Sequence, residues 1–264
     1  MSETPEQRAE RLRAEALSGP TISESEFQTR SRRAFLVAGA SALVGAVGWN
    51  WLQTGPTDDG LPRLLREGHR LNEQIWRSLY SPDRLAPTFA ASQSAMPKVN
   101  GRYGLRGPFA VDAWTMRVLG PDGALLDVLD MDDIRALPRV EMTTEFKCIE
   151  GWSQVTSWAG ARFSDFAALY ATRLPARLPY VGLATPDGGY TAGLDAAAMM
   201  HPQTLLAYEM QGEPLTVDHG APLRLATPLK YGVKQLKRIG VVRFMDARPT
   251  DYWTERGYDW YTGH

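Results

Sequence analysis

Cys148 is the only cysteine in the 264-residue chain, and it stands in "TEFKCIEGWS" between Lys147 and the acidic and aromatic pair Glu150 and Trp152. A single thiol has no partner for an internal disulfide and cannot build a multi-cysteine zinc or iron–sulfur site. Three roles remain: a small hydrophobe in a core, a nucleophile, or the one protein thiolate on a metal held mainly by something else. A cysteine hydrolase would need Cys148 beside His201 or His219, and the local sequence carries no such signature. No Gly-x-Ser-x-Gly elbow supports a serine hydrolase, and the four histidines have no ligand-like spacing. No glycine-rich strand-to-helix loop supports a nucleotide fold.

A second stretch, "GEPLTVDHGAPLRLATPLKYGVKQLKRIGVV", places His219, Arg224, Lys230, Lys234, Lys237 and Arg238 among glycines, prolines and alternating apolar residues. Fixed cations beside tight backbone turns are what an anionic phosphate needs. The bland alternative is a solvated basic strand edge. With a net charge of −1, the chain has no basic excess that would favour nucleic acid.

The elements that must position these residues belong to a mixed α+β domain with a sheet-rich C-terminal half. "AWTMRVLGPDGALLDVLD" predicts a strand, a Pro-Asp-Gly turn and a second strand. "DMDDIRALPR" predicts a short helix capped by Asp130. "VEMTTEFKCI" alternates as a strand does and leaves Cys148 at its end. "SDFAALYATRL" predicts a helix capped by Ser164, "YVGLAT" a strand, "DAAAMM" a short helix, and "TLLAYEMQGEPL" a strand and turn. "PLRLAT" and "QLKRIGVVRFMDA" add strands. Upstream, "LPRLLREGHRLNEQIWRSLY" reads as an amphipathic helix with Leu61, Leu64, Leu65, Leu71, Ile75, Trp76 and Leu79 near one face. His69 within it reads as a surface or packing residue. Residues 81–107 read as a long ordered loop, a length that in a compact domain usually serves function.

Four segments follow. Residues 1–30 are polar and read as disordered, with a short helix over residues 5–17 as the alternative. Residues 31–55 carry "SRRAFLVAGASALVGAVGWNWL", in which Ser31, Arg32, Arg33, Phe35 and Leu36 resemble the twin-arginine export motif ahead of an apolar stretch. About 19 apolar residues, no clean Ala-x-Ala site and flanking Trp49 and Trp51 favour an uncleaved membrane anchor. Residues 56–99 supply the helix and loop, and residues 100–264 the main domain.

"KCIEGWS", "LLAYEMQGEPLTVDHGAPLRL" and "YGVKQLK" together resemble the molybdopterin-binding domain of the sulfite oxidase family. That family includes the sulfite oxidases and the catalytic subunits of periplasmic methionine sulfoxide reductase. The resemblance runs from about Asn100 to the C-terminus. It implies the sulfite oxidase-type α+β fold and a molybdenum–molybdopterin cofactor, with Cys148 as the protein ligand to molybdenum, a metal that favours soft thiolate. It further implies cofactor contacts from Asn100, Tyr103, Gly104, Thr185, His219, Arg224, Gln235, Leu236 and Lys237. Glu150 resembles the sulfoxide reductases at its position, whereas His219 and Tyr258 resemble the sulfite oxidases, so the substrate stays open. Cys148, Glu150 and Tyr258 are the implied catalytic residues.

The implied activity is two-electron oxygen-atom transfer on a small sulfur-containing substrate. A non-catalytic molybdopterin carrier of the same fold is the alternative. The sequence shows neither a haem-binding segment before the domain nor an immunoglobulin-like one after it. A separate electron partner, a membrane or soluble cytochrome, is therefore expected, with the twin-arginine translocase as the export partner.

Overall fold

The computed structural model describes residues 4–17 and 23–263, divided into two compact units, Met1–Pro56 and Thr57–His264. In the first unit, helix α1 spans Pro5–Leu17 and helix α2 spans Glu24–Thr54. The helix over residues 5–17, expected only as the alternative to disorder, is therefore formed. Residues 1–3 and 18–22 of the expected disordered region lie outside the described residues. α2 starts where Ser23 Oγ accepts from Glu26 N at 3.2 Å, with Glu24 and Glu26 in a first turn whose free N–H groups favour negative charge. At 31 residues it extends about 46 Å, is long and apolar enough to cross a membrane, and buries none of its residues. Arg32 and Arg33 lie inside this helix.

The second unit begins with a small hairpin, β1 (Thr57–Asp58) and β2 (Leu61–Pro62). It turns through Asp59 (φ 46°) and Gly60 (φ 75°), the left-handed pair a two-residue hairpin needs. Helix α3 follows at Arg63–Leu79, as its periodicity predicts, but it is seated the opposite way from an ordinary amphipathic helix. Leu64, Leu71, Ile75 and Leu79 are exposed, and Arg66 and Glu73 are buried. Glu73 earns its burial through Arg248, which donates to both its carboxylate oxygens at 2.8 and 2.7 Å, and through Arg77 at 2.9 Å.

The loop expected over residues 81–107 is present. Phe89 N donates to Thr143 O at 3.0 Å and Ala95 N to Val155 O at 2.9 Å, so part of it runs along a sheet. That first sheet contains β5 (Arg139–Lys147), β6 (Ser153–Arg162), β9 (Leu205–Met210), β10 (Glu213–Pro214) and β11 (Arg224–Ala226). Its order is β10-β9-β6-β5, with β11 also paired to β9, and every pairing is antiparallel. The second sheet contains β3 (Met116–Leu119), β4 (Leu125–Leu129), β7 (Tyr180–Ala184), β8 (Thr191–Asp195) and β12 (Val241–Met245). Its order is β4-β3-β12-β7-β8, antiparallel except for the parallel β3–β12 pair.

One core lies between the sheets. Leu206, Tyr208 and Leu225 from the first meet Met116, Val118, Leu183, Leu194, Val242 and Phe244 from the second. The alternate residues of β9, Leu205 and Ala207, face a second cluster with Trp158 and Met142. Both faces of β9 are buried, which explains its unbroken apolar run. Three short helices fill the joints: α4 (Met131–Arg135), α5 (Phe163–Ala168) and α6 (Ala196–Met199). α4 is capped by Asp130, which accepts from Asp132 N and Asp133 N. α5 begins one residue ahead of Ser164, at Phe163, and Arg162 is its N-cap without a side-chain bond.

The fold is α+β, as the sequence predicts. Two strands carry no readable signal. β6 is rich in Ser, Thr, Ala and Gly because it is central and tightly approached: a Cβ at Gly160 would collide with the backbone of Leu206 and Ala207. β8 is short, and its Gly193 lies under Trp260 and Pro249. In "QLKRIGVVRFMDA" only Val241–Met245 is strand.

Candidate active site

β5 ends at Lys147, and the chain reverses at once into β6. Cys148 N donates to Trp152 O at 2.9 Å, and Gly151 N to Cys148 O at 3.1 Å, with Gly151 at φ 87°. This tight turn fixes the thiol at the floor of a cavity of about 280 Å³. Asn100 reaches in from the long loop, its Nδ2 donating to Cys148 Sγ at 3.6 Å. Glu150 lies at the rim. It accepts from the Trp152 indole at 3.2 Å, and hydrogen bonds from Trp152 first and then Asn100 hold its carboxyl below the usual range. Lys147 pairs with Glu145 at 3.7 Å.

The basic side of the cavity is built on β11 and the turns around it. Arg224 is buried, its guanidinium 4.7 Å from the Trp158 ring, and it donates to His219 O at 3.0 Å and Gln235 O at 3.3 Å. Among the described residues no carboxylate pairs with it, and burial pulls its pKa down to about 10. Lys237 Nζ donates to Asn100 O at 2.6 Å and Asp218 O at 2.8 Å. Burial, and then the Arg224 charge, bring it to about 8. The same burial, with Arg224 and Lys237 adding, pushes His219 to about 4 and keeps its imidazole neutral at pH 7. A buried cation without a counterion is costly; an anion entering here would meet it directly.

Not every basic residue of that stretch serves the cavity. Lys230 pairs with Asp195 at 2.7 Å and Lys234 with Asp251 at 2.6 Å, both as buried structural ion pairs. Arg238 packs its guanidinium 4.0 Å from the Phe109 ring. Gln235 lines the cavity, and its amide braces the turn by donating to Thr227 O at 2.8 Å and Lys230 O at 3.0 Å. Leu236 turns its side chain into the core between the sheets. Thr185 and Gly104 are not among the cavity-lining residues; they meet each other, and a Cβ on Gly104 (φ 70°) would collide with the Thr185 side chain. Thr185 Oγ1 donates to Asp187 at 2.6 Å, so this pair braces the turn beside Asn100 and Tyr103.

The opposite wall is aromatic. Tyr103, Tyr190, Trp253 and Tyr258 line it, with ring centroids 5.9 Å apart for Tyr103 and Trp253 and 5.0 Å for Trp253 and Tyr258. Tyr103 and Tyr258 are legible in the sequence; Tyr190 carries no signal there, and Trp253 only its place among the aromatics near the C-terminus. Arg66 carries no signal either. From α3 this buried guanidinium donates to Asp59 O (2.7 Å), Thr254 O (2.9 Å) and Tyr258 O (2.8 Å), pinning the segment that carries Trp253 and Tyr258. Arg66→Met leaves the buried Thr254 carbonyl and the part-buried Asp59 and Tyr258 carbonyls short of a donor, at about 1–3 kcal/mol for the buried one and less for the others before relaxation. The expected loss of about 2–4 kcal/mol lowers Tm by roughly 5–10 °C, which thermal unfolding checks; an unchanged Tm would show the carbonyls to be solvated.

The residues fit molybdopterin. A lone thiol borders a cavity with an unpaired buried guanidinium, and among the described residues no group of three or more His, Cys, Asp or Glu could hold a bare metal. A metal at Cys148 would therefore take its other donors from a cofactor, whose phosphate matches Arg224 and Lys237.

Comparison with known proteins agrees. The family described as the oxidoreductase molybdopterin binding domain matches residues 105–253. An Azospira oryzae protein named provisionally as a protein-methionine-sulfoxide reductase subunit, YedZ1, is 33% identical over 88% of this chain and 88% of its own length. The MsrP catalytic subunit of protein-methionine-sulfoxide reductase from Xanthomonas axonopodis pv. citri is 34% identical over 53% of this chain, which covers 47% of that relative. Among solved structures, the sulfane dehydrogenase SoxCD from Paracoccus pantotrophus aligns over 53% of this chain and 40% of its own, with 17% identity and a TM-score of 0.47. The chain belongs to the oxidoreductase molybdopterin-binding domain family and is an oxidoreductase that works with a molybdenum–molybdopterin cofactor.

Proposed function

We propose that the chain reduces a sulfoxide, of the methionyl type that its relatives' names state, to the thioether. The balance is one sulfoxide, two electrons and two protons giving one thioether and one water. Electrons come from a separate cytochrome, and the enzyme faces the periplasm, exported by the twin-arginine route and tethered by α2. The length and apolarity of α2, with Arg32 and Arg33 ahead of its apolar part, support the last step.

One observation carries the reading: the Cys148 thiol, the unpaired Arg224 cation and an aromatic wall all border one cavity. The cofactor, when bound, supplies two-electron oxygen-atom exchange. The chain's own groups supply the rest. Cys148 ligates the metal. Arg224 and Lys237 hold the phosphate, with neutral His219, Asn100, Tyr103 and Gln235 around them and Gly104, Thr185 and Leu236 shaping the turns behind. The faces of Tyr103, Trp253 and Tyr258 receive a thioether or sulfoxide, since sulfur packs favourably against aromatic rings. Tyr258 lines the cavity, and its hydroxyl serves as donor to the oxygen that leaves as water. Glu150, held ionised by Trp152 and Asn100, acts as acceptor: it orients the Asn100 amide that also reaches Cys148 and passes protons inward from the rim.

The test is turnover of molybdenum-loaded protein with methionine sulfoxide, other S-oxides and sulfite, using reduced and oxidised dyes as electron partners. Consumption of methionine sulfoxide is expected. Sulfite oxidation without sulfoxide reduction reverses the direction assigned here, and cofactor binding without turnover of any substrate identifies a carrier.

A further inference from the structure

We propose that the apolar face of α3 lies on a phospholipid surface. The proposal rests on α2 being a membrane anchor. Leu64, Leu71, Ile75 and Leu79 are 50–58% exposed, although they fall within one arc of the helix at the i, i+7, i+11 and i+15 positions that elsewhere pack into a core. The opposite side of α3 is already engaged: Arg66 and Glu73 are buried. The helix therefore has its polar side against its own domain and its apolar side outward, half or more exposed among the described residues.

Two features select lipid over other occupants. Eight residues separate Thr54, the end of the membrane-length helix, from Arg63, the start of α3. Extended chain spans at most about 32 Å over that interval, a tether short enough for α3 to reach the bilayer that α2 would anchor in. Trp49 and Trp51 at the end of α2, and the partly exposed Trp76 on the flank of the apolar arc, are the residue type that favours the headgroup level. A strongly two-faced helix, apolar on one side and ionic on the other, lies in the plane of an interface rather than across it.

The consequence reaches the active site. The inner side of the same helix holds Thr254 O and Tyr258 O through Arg66. With a helix about 10–12 Å across, the segment carrying Trp253 and Tyr258 sits one helix diameter from the lipid, within reach of an electron partner residing in the membrane.

The experiment uses the full chain with its cofactor in phospholipid nanodiscs. An environment-sensitive fluorophore is placed at Ile75→Cys, at Gln74→Cys on the polar side, or at Val44→Cys within α2, with the unsubstituted chain as control for labelling at Cys148. Quenching by lipids carrying a nitroxide near the headgroup end of the acyl chain is expected to be several-fold greater at position 75 than at 74. Equal quenching at both, or quenching at 75 only by an aqueous quencher, overturns the proposal. Shielding of position 75 from both quenchers also overturns it and identifies a protein, a partner or a second copy, on this face. Position 44 reports the anchor separately: its quenching by deep nitroxides without quenching at 75 sinks the proposal and leaves the anchor standing. If position 44 is unquenched the anchor reading fails, and position 75 still decides the proposal on the same lipid.

Discussion

Cys148→Ala should bring turnover to background while most of the molybdopterin stays bound. The thiol is one donor lining the cavity, and Arg224 and Lys237, which would hold the rest of the cofactor, donate their hydrogen bonds to backbone carbonyls and not to it. Loss of a metal's ligand changes both its electronics and its open position, so a fall of at least about three orders of magnitude in kcat is expected, equivalent to about 4 kcal/mol. If Cys148 were instead a small buried hydrophobe, the same change would cost about 1 kcal/mol of stability and leave turnover intact. The two accounts differ by enough that a modest assay separates them. Molybdenum content and turnover, measured on the same preparation, make the check.

The second large effect belongs to Arg224→Met. In the cofactor-free protein two terms offset each other. Removing a buried cation with no carboxylate partner relieves a desolvation cost of several kcal/mol. His219 O and Gln235 O lose their donor, at about 1–3 kcal/mol each. The stability of that form should therefore change little. With cofactor present nothing offsets the loss, and removing one side of a buried charge pair costs about 2–5 kcal/mol, or roughly 30-fold or more in affinity. Comparing Tm with and without molybdopterin reads this directly, because a ligand that binds only the folded state raises Tm in proportion to its affinity. The wild type should show a large cofactor-dependent rise and the variant little. An equal rise in both would remove Arg224 from the phosphate site.

The sequence made the chemistry more legible than the architecture. A lone Cys148 at the end of an alternating strand, and an arginine in "PLRL", carry their meaning in residue type and order, and both line one cavity. What was hidden depends on neighbours that only the fold supplies. β6 has no alternation because Gly160 and its flanking alanines are selected by the close backbone of β9. Lys230 and Lys234 look like Lys237 in sequence, yet Asp195 and Asp251, 35 and 17 positions away, neutralise them. Arg66 shows no sign in sequence that it grips the chain about 190 residues later. The amphipathic pattern of α3 correctly predicts a helix, but periodicity says only that one side is apolar, never whether that side faces a core or something outside the protein.

The central claim is that the Cys148 sulfur is the protein's own ligand to molybdenum. X-ray absorption at molybdenum, compared between the wild type and Cys148→Ser at equal cofactor loading, tests it without relying on any substrate. The account predicts one sulfur neighbour fewer around the metal in the variant; identical sulfur shells in the two proteins would contradict it.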